Sequence, residues 1–197
     1  MKDNQQPPLV LASGSRYRRD ALRRLGLAFE VRAADICETP LEGESGAQLV
    51  ERLAKAKADA VAPHYPGALI IGCDECAAAG DALLGKPGDF DCARRQLLDC
   101  AGRTVVFHSG VCVLDTRNGN RRFADVPTRV HYRRLNERQI ESYLRRDKPY
   151  DCAGSFRSES LGALLCERIE SEDPSALLGL PLIALANLLE EAGFKML

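Results

Sequence analysis

The chain has 197 residues, with 27 Lys+Arg against 28 Asp+Glu, a formal net charge of −1 and a hydrophobic fraction of 45%. That length and apolar content fit one folded domain and exclude global disorder, while the near-zero charge argues against a dedicated nucleic-acid binder. Tryptophan is absent and aromatics make up 6%, so an extended base-stacking platform is not expected.

A single domain is expected over residues 1–197, with residues 1–7 as a polar, disordered tail. Pro8–Ser13 is a short apolar run of the kind that forms a buried strand. Ser13-Gly14-Ser15 follows as a turn, and Arg16–Leu25 reads as a helix stopped by Gly26. Ala28–Ala34 reads as a second strand. Ser45-Gly-Ala-Gln48 has capping-box spacing and opens a helix to about Ala62, with Leu49, Val50, Leu53, Ala54 and Ala58 as its apolar stripe. Ala68–Ile71 is another buried strand, and Gly80-Asp81 is the turn of a small hairpin. Asp89–Cys100 is helical, and Val105–Leu114 and Phe123–Leu135 read as strands. Asn136–Gln139 repeats the capping-box spacing and opens a helix to Arg146. Leu161–Ile169 reads as a strand, and Pro181 suits the first turn of a last helix that Gly193 closes. The order predicts an α/β fold with a mixed sheet flanked by helices.

The eight cysteines are scattered rather than framed. The apolar run Leu9–Ala12 is too short for a signal peptide, and Ala176–Leu189 is too short to cross a bilayer. A cytoplasmic protein with reduced thiols and no membrane partner is expected. Cys73 and Cys76 form a CxxC pair without the second pair a zinc site needs, and in a regular strand they face opposite sides.

Ser13-Gly-Ser-Arg-Tyr-Arg-Arg19 lies between a strand and a helix. A helix start presents unpaired amides to an anion, Gly14 allows close approach, and the serines and arginines add donors and charge. The segment suits a polyphosphate, although the Walker pattern is missing; it also reads as a serine cap on an arginine-rich helix. Asp74 follows an apolar strand, where a carboxylate holds a divalent metal, takes a proton from water, or simply makes a turn. Glu38 is a second metal ligand or a solvated loop residue. Lys57 falls on the exposed face of its helix, where a solvated lysine is the default. Lys86, fixed between Gly85 and Pro87, presents one ammonium suited to a phosphate.

Taken together, these segments resemble the Maf family of nucleoside triphosphate pyrophosphatases. The resemblance runs from Leu9 to about Gly193. It is carried by Leu-Ala-Ser13-Gly-Ser15-Arg-Tyr17-Arg18-Arg19, Asp35-Ile-Cys-Glu38-Thr-Pro40, Arg52-Leu-Ala-Lys-Ala-Lys57-Ala58, Ile71-Gly-Cys-Asp74, Gly85-Lys86-Pro87 and Gly179-Leu-Pro181. It implies a fold similar to inosine triphosphate pyrophosphatases, with two lobes around a cleft, and a homodimer. It implies hydrolysis of the α–β bond of a nucleotide with a divalent metal, Mg or Mn. Ser13, Ser15, Arg18, Lys57 and Lys86 would hold phosphate, Glu38 and Asp74 the metal, and Asp74 would be the proton acceptor.

Tyr17, Glu75 and Glu159 occupy the positions that separate substrate branches, together with Cys152-Ala-Gly-Ser-Phe156-Arg-Ser-Glu159. They look like the branch acting on 7-methyl-GTP. The pyrimidine branch, acting on dTTP and UTP, is the alternative, as is a non-catalytic nucleotide-binding regulator of septum formation. No stable nucleic-acid partner is expected. A 7-methylguanine ring is cationic, so an aromatic face attracts it by about 1–2 kcal/mol when desolvated. A carboxylate accepts both guanine N1–H and N2–H. The chain departs from the family pattern at Arg16, where Pro is common, at Ala56, where Glu is common, at Cys73, where a small residue is usual, and at Glu75, where the methylated-base branch has Gln. Cys73 would confer sensitivity to oxidation only if exposed and acidic.

Overall fold

In the computed structural model, which describes residues 6–197, the strands are β1 (Leu9–Leu11), β2 (Glu30–Val31), β3 (Leu69–Ala79), β4 (Ala82–Leu84), β5 (Thr104–Asp115), β6 (Arg121–Tyr132) and β7 (Cys166–Glu170). The helices are α1 (Arg16–Arg23), α2 (Gly46–Val61), α3 (Phe90–Cys100), α4 (Glu137–Asp147) and α5 (Leu182–Glu191). The strands make one mixed sheet of order β2-β1-β3-β5-β6-β7, with β4 paired to β3 off that path. β1 runs parallel to β2 and β3, and the remaining pairings are antiparallel.

Alternation along the strands assigns the layers. Val10, Ile70, Cys112 and Leu114 pack under Ala54, Ala58 and Val61 of α2. On the opposite face Leu11, Ile71, Cys73 and Val111 meet Leu22 of α1 and Leu185 and Leu189 of α5. Farther along that face Ala77, Phe107 and Val130 meet Leu97 of α3 and Ile140 and Leu144 of α4. Two apolar clusters thus share one face, and a cleft lies between them. Among the described residues no helix is long and apolar enough to cross a membrane.

Local chemistry explains the helix starts. Ser45 and Gln48 form the reciprocal capping box of α2, and Asn136 and Gln139 that of α4, as their spacing predicted. At α5, Pro181 is the cap itself, and the buried Asp173 carboxylate accepts from the Ile183 and Ala184 amides at 2.7 and 3.4 Å. α2 lies unusually close to the sheet. A Cβ on Gly72 would fall 2.0 Å from the Ala54 carbonyl oxygen, and one on Gly110 would fall 3.0 Å from Val50.

Several boundaries differ from expectation. The predicted strand Leu161–Ile169 begins as a 3-10 turn over Leu161–Leu165, and only Cys166–Glu170 is extended. The chain doubles back there because Gly162 packs on Arg157, to whose carbonyl its amide donates at 3.1 Å. Only Glu30–Val31 of the predicted strand Ala28–Ala34 pairs. Of the predicted tail, residues 1–5 lie outside the described residues. Gln6, by contrast, is pinned, with its side chain bonded twice to the Lys195 backbone.

Candidate active site

β3 organises the site through an interruption in its pairing. One edge is paired to β5 from Leu69 to Ala78. The other edge pairs with β1 at Leu69–Ile71 and with β4 at Ala77–Ala79. Between them Cys73–Cys76 has no strand neighbour on that side, and a cleft of about 790 Å³ opens there. Because the gap exposes the edge of β3, side chains from both faces of the sheet reach the same cleft. Asp74 points to the α2 face and Glu75 to the opposite one. Asp74 was expected just past a strand, but it lies inside β3, three residues beyond the last one paired to β1. It is still at the carboxyl end of the short parallel segment, the usual place for active groups in such sheets.

The candidate phosphate, metal and base-specificity residues all line this cleft: Ser13, Ser15, Tyr17, Arg18, Glu38, Lys57, Asp74, Glu75, Lys86 and Glu159. They divide into two ends.

At one end Lys57 is central. It was expected on the solvated face of its helix, but it is 6% exposed, as is Asp74. The close approach of α2 at Gly72 explains this, because it carries even the polar side of the helix into the cleft wall. Lys57 Nζ lies 2.5 Å from Asp74 Oδ1 and 2.6 Å from Glu38 Oε1. Burial pushes the Glu38 carboxyl up, but Lys57, Lys86 and Arg18 outweigh it and hold Glu38 below its usual value. Two carboxylates therefore already converge on one positive charge. A hard divalent cation uses such a donor pair, with phosphates and water completing its shell. Among the described residues no group of three or more His, Cys, Asp or Glu forms a closed metal cage.

Ser15 caps α1 by accepting from the Arg18 amide at 3.4 Å, and Ser13 Oγ accepts from the Ser15 amide at 3.2 Å. The first amides of α1 lack helical partners and open on the cleft. Gly14 is exposed, and a Cβ there would meet only Ala33, at an ordinary 3.6 Å. The fold itself does not demand glycine at that position. Arg18 also works as a clamp, donating to the carbonyls of Gly179 and Cys73 at 2.9 Å each. Burial would lower its pKa, but Cys73, Asp74, Glu75 and Glu38 raise it, so it stays charged. Lys86 is exposed at the rim and makes no ion pair among the described residues.

At the other end stand Tyr17 and Glu159, with Glu75 between the two ends. The Arg16 and Arg157 guanidinium carbons lie 4.7 and 5.7 Å from the Tyr17 ring centroid. Tyr17 Oη reaches Asp151 Oδ2 at 3.5 Å. Arg157 is anchored on the Asp147 carbonyl at 2.9 Å and on the Asp147 and Asp151 carboxylates at 3.3 Å each. Burial raises the Glu75 carboxyl to about 7, with Asp74 and Glu159 adding to the rise and Arg18 and Lys86 opposing it. Glu159 is exposed. Arg157 and Asp151 were not singled out from sequence, and nothing local marks them; they matter because a loop returns them to Tyr17. That loop is held at Ser155, at φ 58, whose hydroxyl donates to Gln96 at 2.6 Å. Cys73 and Cys76 do face opposite sides, in separate clusters. Cys73 is fully buried and burial raises its pKa, so it has neither of the properties that oxidation needs.

A family model described as "Maf-like protein" matches residues 8–192. The chain belongs to the Maf family. Among curated Maf relatives, a protein of Cupriavidus pinatubonensis is 50% identical over 98% of both chains. One of Thiobacillus denitrificans is 50% identical over 97% of this chain and 95% of its own. One of Cupriavidus metallidurans is 48% identical over 98% of both. All three are named 7-methyl-GTP pyrophosphatase.

Proposed function

We propose that this Maf protein hydrolyses the α–β phosphate bond of 7-methyl-GTP, releasing 7-methyl-GMP and pyrophosphate. The observation that carries the reading is the two-ended cleft. Buried Lys57 and Asp74, joined by the exposed Glu38, stand at one end, and a Tyr17 ring that already attracts cations stands at the other, with Glu159 lining the same cleft. The names of its relatives agree.

The triphosphate lies along the amides and hydroxyls of Ser13–Ser15, where the α1 dipole favours negative charge. Exposed Gly14 lets phosphate oxygens approach the backbone closely. Lys86 and Arg18 balance the charge that gathers on the departing pyrophosphate. Asp74 accepts the proton of the water that attacks the α-phosphorus. Glu38 and Asp74 would hold a divalent cation, Mg or Mn, which would supply charge neutralisation and polarisation of the phosphoryl group. At the far end the cationic base stacks on Tyr17, and Glu159 accepts from guanine N1–H and N2–H. A pyrimidine has no matching donor pair, so dTTP and UTP are poorer fits.

The test is pyrophosphate release across 7-methyl-GTP, GTP, dTTP, UTP and CTP, with Mg or Mn, for the wild type and Asp74→Asn. We expect the highest kcat/KM with 7-methyl-GTP and a loss of about 10²–10⁴-fold in kcat for the variant. Undiminished turnover by Asp74→Asn removes the proton-acceptor role. A pyrimidine turned over fastest removes the base assignment and leaves the chemistry.

A further inference from the structure

Arg16 begins α1 and lines the cleft beside Tyr17. Its guanidinium covers the Tyr17 ring at 4.7 Å, and its Nη2 donates to Tyr17 Oη at 2.7 Å. It is exposed and makes no ion pair among the described residues. Arg157, the other cation near that ring, is fixed by Asp147 and Asp151. One cation on Tyr17 is therefore anchored by carboxylates, and the other, among the described residues, has its only side-chain hydrogen bond and ring contact with the tyrosine itself.

An exposed cation–π contact is weak and easily exchanged. Arg16 is also the residue next to the Ser15 cap, at the helix end to which the proposed function assigns the triphosphate. A guanidinium prefers a phosphate to a phenol ring, because it makes charge-assisted and often bidentate hydrogen bonds there. The ring that Arg16 covers is the surface that the base would need.

We propose that Arg16 is an exchangeable cation. In the free protein it covers Tyr17; when nucleotide arrives it yields the ring to the base and moves to the triphosphate. The inference rests on the reading of the cleft given above and deepens it. It makes Arg16 oppose base binding and favour phosphate binding, so its removal has effects of opposite sign on two ligands. A residue that only shaped the fold, or only added positive charge to the cleft, would not produce that pattern for a neutral nucleoside such as guanosine.

The experiment is calorimetric titration of the wild type, Arg16→Ala and Arg16→Gln with guanosine, 7-methylguanosine and the α,β-methylene analogue of 7-methyl-GTP. Both variants are expected to bind the nucleosides about two- to fivefold more tightly, because no cation has to be displaced. They are expected to bind the triphosphate analogue at least about threefold more weakly, because a charge-assisted contact is gone. In a Tyr17→Leu background Arg16→Ala should no longer tighten nucleoside binding. Nucleoside affinity that stays the same or falls overturns the proposal, and so does a shift of both ligand types in one direction. A wild type that does not prefer 7-methylguanosine to guanosine instead overturns the base assignment, which the crossed shift with guanosine does not depend on.

Discussion

At one end of the cleft Lys57 and Asp74 are buried and fixed by α2 and β3; at the other, Tyr17 is half-buried and met by Asp151 and Arg157 of a returning loop, and Glu159 is exposed on that loop. The first end is part of the core, and changes there alter stability and turnover together. The second end is a surface feature whose residues can change with little effect on the fold. Chemistry common to a family suits the first kind of support, and substrate choice suits the second.

The sharpest way to break this contrast is Lys57→Met. It leaves two carboxylates facing each other without their shared ammonium, and losing one partner of a buried pair costs about 3–5 kcal/mol. Chemical denaturation should show that loss. Added Mg or Mn should then stabilise the variant more than the wild type, because a cation replaces the ammonium between Glu38 and Asp74. Equal metal responses would remove the metal role from that pair.

Gly72→Ala tests whether the close helix approach matters. The new Cβ meets the Ala54 carbonyl oxygen, so α2 must shift, at a cost of about 3 kcal/mol. Turnover should fall with stability, because the same shift carries Lys57 away from Asp74. A variant of normal stability and normal kcat would show that the helix has room to move.

Glu159→Gln should leave stability and kcat alone. Its effect is on KM, with the preference for 7-methyl-GTP over UTP falling on the order of tenfold as a charge-assisted acceptor is lost. A fall in kcat instead would place Glu159 in the chemistry.

Glu75 lies between the two ends, and its effect depends on pH. Its folded value of about 7 stands above the usual 4.5. Its contribution to stability is therefore present at low pH and is lost as pH rises through 7. Glu75→Gln should raise Tm at about pH 8 by roughly 5–10 °C and leave it unchanged near pH 4. An equal shift at both pH values would mean that the gain owes nothing to ionisation.

The sequence made the two ends unequally legible. Ser45 with Gln48 and Asn136 with Gln139 mark their helices because a capping box is local. The candidate site residues all line one cleft at the gap in β3's pairing, although the short motifs carrying them lie far apart in the chain. Lys57 misled, since helical spacing reports the side of a helix and not the distance to its neighbour; two glycines elsewhere in the chain set that distance. Asp74 looked like a strand end because nothing near it says that β1 stops at Leu11 while β5 continues. Asp173 caps a helix ten residues downstream, and Arg157 meets Tyr17 across most of the chain; neither leaves a pattern in a short window.

The unbroken strands beneath the cleft have a mechanical consequence. β3, β5 and β6 contain 11, 12 and 12 residues and pass under both helix pairs without interruption. Each is a span of about 35–40 Å, laced to its neighbour along nearly its whole length. Such a floor should bend as a leaf spring rather than swing as a jaw. Product release should therefore come from the rims, where the Glu38 segment and the loop tied down by Arg157 can lift while the base beneath them stays still.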